Sequence, residues 1–504
     1  MLDEPCQNVR PGRMLRNVTR PLLTAIAASV LAACGPQSEE ALEVTVIGAG
    51  EPTVTDPSAG ALSTPGKVLQ SNVAQGLVRF DARGQIEPGL AERWNVSDDG
   101  LSYIFRIGAG DWPDGRAISA REVARILNRK LRTASRNDLK DALGAVDEIV
   151  AMTDRVIEVR LLAPRPNLLQ LLAQPEFSIS RDGYGTGPFQ PDAVQDAPGA
   201  ISLTRRIVIV DDKDQVEHVH LLTAGAAQAI QQFRNGKASL VLGGTFANLP
   251  LVPRDRAGRN ALRFDPVAGL FGLVPARDGG PLADEELRAR LNRSINREAL
   301  IAALNVPDLV PRTTLLQDGL EGGISPAAPA WAAVPFEERY PAAVQEARQA
   351  QGDEDEALKI AIALPDGPGS TIIFNRLAAD WRPLGIELVR ASKGVPVDLK
   401  LIDAVAPSIS PAWFVRNFRC ENAPQCSEEA DEIMDSARTT LIAAQRGALL
   451  AEAGRLIDEA NLFLPIAAPV RWSLVADGLP GFAENIFAHH PLSGLRDRPG
   501  RERQ

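Results

Sequence analysis

The sequence predicts an α/β fold in which helices pack on mixed or parallel sheets. Segments with the two-residue apolar period of strands alternate with segments that have the spacing of helices. In the clearest region a strand at 358–364 is followed by a helix at 371–381 and by strands at 386–389 and 397–402. Strand, crossover helix and parallel strand form a βαβ unit, which requires helices on the faces of the sheet.

An earlier strand and helix follow the same alternation. Residues Leu101, Tyr103, Phe105 and Ile107 occupy alternate positions and therefore share one face of a predicted strand. The segment 119–122 has the Ser-x-x-Glu pattern of a capping box, and apolar residues follow it at helical spacing. This pattern predicts a helix that begins at 120.

Three further helical stretches are predicted later in the chain. A helix over 226–235 ends at Gly236 and leads into a strand at 238–242. Asp284 is predicted to cap a helix that runs to about Leu304. Ser427 begins another helical stretch, which continues to about Ala460 with or without a break.

Composition and motifs limit the function. The chain has 504 residues, 45% of them hydrophobic, and a net charge of −10. An acidic chain without a basic block is a poor match for phosphate backbones, so we expect no nucleic-acid partner. The patterns GxSxG and HExxH are absent, and Gly60–Lys67 lacks the spacing of a phosphate-binding loop. We therefore predict no catalytic residue, metal or cofactor, although a hydrolase built on carboxylates stays open as an alternative.

The N-terminal residues have the features of an export signal. The segment Leu22–Ala33 is apolar except for Thr24 and Ser29, and it is shorter than the roughly 20 residues that span a bilayer. It ends in Leu-Ala-Ala-Cys34, which resembles the lipobox of bacterial lipoproteins, and four arginines precede it: Arg10, Arg13, Arg16 and Arg20. The resemblance implies a signal peptide at 1–33 and a lipid on Cys34. The alternative is a buried N-terminal helix.

Two cysteines remain after the predicted lipidation site. Cys420 and Cys426 flank a short, turn-rich loop. In an exported protein a disulfide is the expected state of such a pair. A metal site is the alternative, but two thiols without nearby histidines make a weak ligand set.

A longer resemblance covers roughly residues 43–480. Its motifs resemble those of the family-5 extracytoplasmic solute-binding proteins, which are the peptide- and nickel-type receptors of ABC importers. The matching segments, in family order and spacing, are Glu51–Pro57, Gly76–Asp81, Gly84–Trp94, Ser97–Arg106, Asp111–Gly115, Ile118–Val123, Gly185–Phe189, Ile230–Gly236, Pro281–Asp284 and Arg288–Leu300.

The resemblance implies a two-lobed, periplasmic-binding-protein-like fold with an additional subdomain. Lobe I would comprise 34–273 and 469–504, with the subdomain inserted at about 65–185, and lobe II would comprise 274–468. Strands near Leu270–Val274 and Val470–Leu474 would act as hinges around a ligand cleft.

The resemblance also implies a function. The protein would be a monomeric, lipid-anchored receptor outside the cytoplasm that delivers a solute to ABC permease and ATPase subunits. An oligopeptide is the default ligand of the family. Alternatives are an amino-blocked peptide, a metal chelate, an opine or an oligosaccharide, and a sensor in place of an import receptor.

Ligand-binding residues follow from matching positions, with three departures. Ala404 stands where many relatives have Trp, and Ala276 stands where the family has Asn before Pro281. The third departure is at Pro407. Peptide-binding relatives carry an Asp that pairs with the ligand's amino terminus, and Pro407 stands at that position here. Asp403 either substitutes for this Asp or is an ordinary strand-end residue. Trp413 either lines the pocket or packs in the core. The predicted ligand-binding residues are Glu51, Pro52, Thr53, Asp403, Ser408 and Trp413.

Overall fold

The computed structural model of the chain describes residues 41–192, 198–208, 214–323, 325–351 and 356–495. These residues form twenty strands, which are β1 (Leu42–Ile47), β2 (Val78–Phe80), β3 (Ile86–Pro88), β4 (Ala91–Val96), β5 (Ser102–Ile107), β6 (Val146–Thr153), β7 (Val156–Leu161), β8 (Ser180–Arg181), β9 (Tyr184–Gly185), β10 (Gln190–Pro191), β11 (Ala200–Ile207), β12 (Gln215–Ala224), β13 (Leu240–Thr245), β14 (Leu262–Phe264), β15 (Gly269–Pro275), β16 (Leu358–Ala363), β17 (Ile386–Arg390), β18 (Leu399–Val405), β19 (Leu464–Pro465) and β20 (Arg471–Val475). They also form twelve α-helices, which are α1 (Thr64–Val73), α2 (Ala120–Leu131), α3 (Leu168–Leu172), α4 (Ala226–Arg234), α5 (Arg256–Ala261), α6 (Glu285–Arg293), α7 (Arg297–Leu304), α8 (Phe336–Gln351), α9 (Pro368–Trp381), α10 (Pro411–Arg416), α11 (Glu428–Thr439) and α12 (Ala443–Glu459).

A seven-stranded sheet contains both the first and the last described strands. Its order is β10-β11-β12-β1-β13-β20-β14, with β1 parallel to β12 and to β13. In β1 the alternate residues Leu42, Val44 and Val46 are buried in one core. Helix α1 belongs to the same core through Leu69 and Val73. The sheet therefore joins chain segments that lie more than 400 residues apart in sequence.

A five-stranded sheet contains the predicted βαβ unit. Its order is β17-β16-β18-β15-β19, and β16 is parallel to both β17 and β18. Helix α9 begins with Pro368 in its first turn and buries Ile373, Leu377 and Trp381. Proline suits a first turn because the backbone N–H there has no partner within the helix. The predicted βαβ unit is confirmed, and the sheet is mixed because β15 is antiparallel to both β18 and β19.

A four-stranded sheet, β4-β5-β7-β6, has a core of its own. Strand β5 buries Tyr103, Phe105 and Ile107, as its alternating sequence predicts. Ser119 caps α2 by accepting a hydrogen bond from the backbone N–H of Glu122, which confirms the predicted helix start. The buried residues of this core lie between Leu77 and Ile179 in the sequence, except for Phe487.

The chain passes between the seven- and five-stranded sheets twice. It leaves the first after β14 and enters the second at β15, so 265–268 is one crossing segment. It returns between β19 and β20, so 466–470 is the other. Among the described strands, β15 pairs only with β18 and β19, and β20 pairs only with β13 and β14. Each predicted hinge strand thus belongs to one sheet, and the loop that adjoins it makes the crossing.

The single helix predicted from Asp284 to Leu304 is wrong. Asp284 does cap α6, but that helix ends at Arg293 and α7 starts at Arg297. The side chain of Asn296 accepts a hydrogen bond of 2.9 Å from the backbone N–H of Ala299 and so starts a second helix. The stretch from Ser427 is also broken, between α11 and α12.

Candidate functional site

A cavity of about 500 Å³ lies where strands of the two larger sheets end. Its walls come from β13 and β20 of the seven-stranded sheet and from the segment 403–407 of the five-stranded sheet. Helix α1 and the segments 174–176 and 487–490 complete it. Sites for small ligands occupy about 300–1,000 Å³ and occur preferentially between domains, so this cavity has the size and position of a ligand site.

An ion pair in the cavity wall joins the two sheets. Arg471 Nη1 of β20 donates to Asp403 Oδ1 of β18 over 2.7 Å, and Arg471 Nη2 donates to the carbonyl oxygen of Asp403 over 3.1 Å. The two side chains are 17% and 15% exposed. Burial raises the pKa of Asp403, while the charge and hydrogen bond of Arg471 oppose this rise. Asp403 therefore forms a hydrogen-bonded ion pair with Arg471 and is not an unpaired residue at the end of its strand.

A second ion pair lies on the wall formed by α1. Lys67 Nζ is 2.7 Å from Glu176 Oε1. The Lys67 side chain is 47% exposed, whereas that of Glu176 is only 3% exposed. Neither carboxylate oxygen of Glu176 has a partner in hydrogen-bond geometry.

The C-terminal segment of the described chain supplies two histidines. His490 Nε2 lies 3.1 Å from Asp265 Oδ2, and the backbone N–H of Asn485 donates to Asp265 Oδ1 over 2.9 Å. Burial lowers the pKa of His489 to about 4, with smaller contributions from His490 and Lys67. His489 thus faces the cavity as a neutral ring at physiological pH.

Three amide side chains around α3 contact the segment 407–409. Asn167 Nδ2 donates to Ser408 Oγ over 3.0 Å, and Gln174 Nε2 donates to the carbonyl oxygen of Pro407 over 2.8 Å. Gln170 Oε1 accepts from the backbone N–H of Ile409 over 3.2 Å. We call Asn167, Gln170 and Gln174 the amide row. The row bridges the four-stranded-sheet region and the loop after β18, at the edge of the cavity.

The structure brings one of the six predicted ligand-binding residues, Asp403, to the cavity wall. Ser408 is buried against Asn167 in the amide row. Trp413 packs edge-on against Phe414, with 5.1 Å between ring centroids, in the core around α12. The remaining three residues lie in the loop after β1 and do not line this cavity: Glu51, Pro52 and Thr53.

Sequence reasoning missed Glu176, Lys67, Arg471 and the amide row. The amides stand at 167, 170 and 174, a spacing that brings side chains to one side of a helix. This spacing is the one feature of the sequence that could have identified the three amides as a group. Their partners lie more than 230 residues away in the chain, and no local pattern identifies them.

The two remaining cysteines are bonded to each other. Cys420 and Cys426 form a disulfide with a Cα–Cα distance of 5.1 Å, away from the cavity. The predicted signal peptide at 1–33 and the predicted lipidation site Cys34 lie outside the described residues. In the part of the chain that the structure describes, no group of three or more potential metal ligands is found, and no helix has the length and apolar character of a membrane span.

Residues 85–391 match the model of the bacterial extracellular solute-binding proteins, family 5 Middle. The match takes in more than half of the chain. This chain belongs to that family. The family-5 protein described here is thus a solute-binding protein of the peptide- and nickel-type ABC importers, as its sequence motifs indicate.

Two relatives illustrate the range of named ligands. The probable di/tripeptide-binding protein 5 of Pseudomonas aeruginosa is 24% identical, and the alignment covers 94% of this chain and 97% of that protein. The probable deoxycholate-binding periplasmic protein YgiS of Escherichia coli is 30% identical over 25% of this chain and 26% of its own. Membership in the family therefore does not identify the ligand of this protein.

Solved structures show the same fold. Oligopeptide-binding protein OppA of Haemophilus influenzae, in complex with RPPGFSPFR, superimposes with a TM-score of 0.76 at 17% identity, over 90% of this chain and 98% of that one. NikA of Brucella suis, in complex with Fe(III)-EDTA, superimposes with a TM-score of 0.70 at 18% identity, over 90% and 100% of the chains. The two-lobed α/β fold predicted from the sequence is confirmed.

Proposed function

We propose that this family-5 protein captures a short peptide in the cavity between its two larger sheets and delivers it to the membrane subunits of an ABC importer. One observation carries the choice of ligand: the cavity wall has an ion pair at Lys67–Glu176 and another at Asp403–Arg471. Groups of both signs suit a zwitterion, which a short peptide is. The relative from Pseudomonas aeruginosa that is named for di- and tripeptides supports the same ligand class.

Capture would proceed by closure of two lobes. We propose lobe I at 34–273 with 469–504, its inserted subdomain at about 65–185, and lobe II at 274–468. The crossing segments 265–268 and 466–470 would act as the hinges. A ligand can shift the open and closed populations only by its difference in affinity for the two states.

The proposal also covers chemistry, assembly and location. The protein would be a monomeric receptor without cofactor and without catalytic activity, outside the cytoplasm. A lipid on Cys34, added after removal of 1–33, would hold it at the membrane. Replacing Cys34→Ser should move the protein from the membrane fraction to the soluble fraction and abolish labelling by radioactive palmitate. Membrane retention of the variant would contradict the anchor.

A second candidate ligand class follows from one residue. Pro407 lines the cavity. The sequence resemblance puts it where peptide-binding relatives carry an Asp. A buried ammonium without a carboxylate partner costs several kcal/mol. An amino-blocked peptide, or a solute without an amino group, is therefore the alternative.

A thermal-shift screen separates these candidates. Protein lacking 1–34 would be tested against di- to pentapeptides, N-acetylated peptides, nickel chelates and oligosaccharides. A ligand at about one hundred times its Kd stabilises the folded state by about 2.7 kcal/mol. Stabilisation by free peptides is the expected result. Stabilisation by another class alone would keep the receptor function and reject the peptide.

A further inference from the structure

Two histidines of β12 project from one face of the seven-stranded sheet. His218 and His220 are two positions apart in the strand, so their side chains lie on the same side of it. The alternate residues Val219 and Leu221 face the opposite side, where they are buried in a core. His220 is exposed and His218 is half-buried. Neither histidine is among the described residues that line the cavity.

The ring of His220 is bonded to the neighbouring strand β1. His220 Nδ1 lies 2.7 Å from Glu43 Oε1, and the two residues are paired in register. An ionised carboxylate has no hydrogen to donate, so Nδ1 carries the hydrogen of this bond. In the neutral ring the other nitrogen, Nε2, then keeps its lone pair.

The ring of His218 is bonded to β11, on the other side of β12. His218 Nδ1 lies 3.2 Å from Thr204 Oγ1, and the Thr204 hydroxyl donates to Asp192 Oδ1 over 2.8 Å. A hydroxyl group has a single hydrogen, and this one is used in the bond to Asp192. Thr204 Oγ1 therefore accepts from Nδ1–H of His218, which again leaves the lone pair on Nε2.

Both Nε2 atoms are turned toward the space above β12. The two nitrogens of an imidazole ring face in largely opposite directions, and the Nδ1 bonds run outward to β1 and to β11. Among the described residues, neither Nε2 has a hydrogen-bond partner. Because Cα atoms two positions apart in a strand are roughly 6.7 Å apart, rotation of the exposed His220 side chain can bring the two lone pairs onto one ion.

This bonding pattern is typical of histidines that bind metals. Such a histidine usually donates its other ring N–H to a carboxylate or another acceptor, which fixes the tautomer and makes the ligand nitrogen more basic. Glu43 provides this bond directly to His220, and Asp192 provides it to His218 through Thr204. Imidazole nitrogen suits Cu²⁺, Ni²⁺ and Zn²⁺, and within this series the affinity is highest for Cu²⁺.

We propose that His218 and His220 bind a divalent transition-metal ion through their Nε2 atoms, with Cu²⁺ bound most tightly. Water completes the coordination of the ion, since the protein supplies two ligands. Glu43, Thr204 and Asp192 are positioning residues that hold the two rings in the metal-binding tautomer. The site lies outside the cavity, so the inference is independent of the proposed peptide function.

Metal titrations test the proposal. The exported protein, purified without a polyhistidine tag, would be titrated with the chlorides of copper, nickel and zinc in a calorimeter. We expect one Cu²⁺ per chain and weaker binding of Ni²⁺ and Zn²⁺. His218→Gln and His220→Gln should each lower the Cu²⁺ affinity by about tenfold or more, and Glu43→Gln by about tenfold. Glu387→Gln removes the same charge at an exposed site of β17 and should not change the affinity.

Electron paramagnetic resonance of the Cu²⁺ form identifies the ligand atoms. The wild-type spectrum should show coupling to two imidazole nitrogens, each single histidine variant should show one, and His218→Gln/His220→Gln should show none. Thermal unfolding without metal checks that the variants fold, and the exposed position of His220 makes its variant the safest of them.

Three results would overturn the inference. The first is a wild-type protein that binds no Cu²⁺. The second is a wild-type affinity in His218→Gln/His220→Gln, which would place the ion elsewhere, for example at His489 and His490. The third is an unchanged affinity in both single variants, because a site made of two imidazoles must weaken when either one is removed.

Discussion

Gln174 donates a hydrogen bond of 2.8 Å from Nε2 to the carbonyl oxygen of Pro407, more than 230 residues away in the chain. Pro407 follows β18 of the five-stranded sheet, and Gln174 follows α3 in the region of the four-stranded sheet. Together with the hydrogen bonds of Asn167 and Gln170, this contact joins the α3 region to the segment 407–409 at the edge of the cavity. The amide row is thus a direct link between the halves of the proposed receptor.

We expect Gln174→Ala to weaken ligand binding by favouring the open state. Loss of one hydrogen bond of about 0.5–1.5 kcal/mol corresponds to an affinity about two- to tenfold lower. The ligand-free variant should also have a larger radius of gyration in small-angle X-ray scattering. Gln231→Ala, at an exposed site of α4, is the matched control. An unchanged affinity and radius would show that the amide row does not contribute to closure.

Removing Asp403 should destabilise the protein. Asp403→Ala leaves the guanidinium group of Arg471 largely buried without its carboxylate, which costs about 3–5 kcal/mol when a buried pair is broken. Urea denaturation at pH 7 measures the loss in the free energy of unfolding. In Asp403→Ala/Arg471→Met the loss should be smaller than the sum of the two single losses. Additive losses would mean that the pair is not coupled.

The disulfide should contribute to stability and not to binding. Its two cysteines are six positions apart, so closing this loop adds about 2 kcal/mol by restricting the unfolded chain. Cys420→Ser/Cys426→Ser should lower the free energy of unfolding by about that amount. The affinity for the ligand found in the screen should not change, because the loop does not line the cavity. A changed affinity would indicate a coupling between the loop and the site.

Asp458 should make the protein less stable as the pH rises. Burial raises the pKa of Asp458 from its ordinary value of 3.8 to about 7, against the hydrogen bond donated by the backbone N–H of Leu315. The folded state then binds more protons than the unfolded state between about pH 4 and pH 7, so the free energy of unfolding decreases across this range.

Asp458→Asn should remove this pH dependence and stabilise the protein at pH 8. The amide oxygen still accepts from Leu315 but carries no charge. Because the side chain is only partly buried, we expect a gain of about 1–2 kcal/mol. Urea titrations at pH 5 and pH 8 provide the comparison. Equal pH profiles for the wild type and the variant would assign the effect to other groups.

Local sequence patterns predicted much of the secondary structure. Ser119, Asp284 and Ser427 each cap a helix through the side-chain hydrogen bond expected of an N-cap. The βαβ unit at 358–402 could be predicted because its strands and helix are consecutive. The helix break at Ser294–Asn296 was missed, although Asn296 itself is a common cap residue, because the apolar period continues across it.

The candidate site is built from long-range side-chain contacts, which no local sequence pattern encodes. Asp403 was predicted from its place beside the matching family segment, and it does line the cavity. Its partner Arg471 lies 68 residues later, and Glu176 reaches the cavity from a different sheet region. Side chains of this kind acquire their roles from the tertiary fold, and a single sequence contains no period or motif that marks them.

The place of β20 between β13 and β14 has a consequence for how the chain folds. The five-stranded sheet is built from one continuous stretch, 269–465, and all its strands exist once that stretch has been synthesised. The seven-stranded sheet lacks an inner strand until 471–475 emerges. Until then β14 has no partner strand and β13 has one free edge beside β1, and a chaperone that binds such edges can act while the roughly 200 residues between β14 and β20 are synthesised.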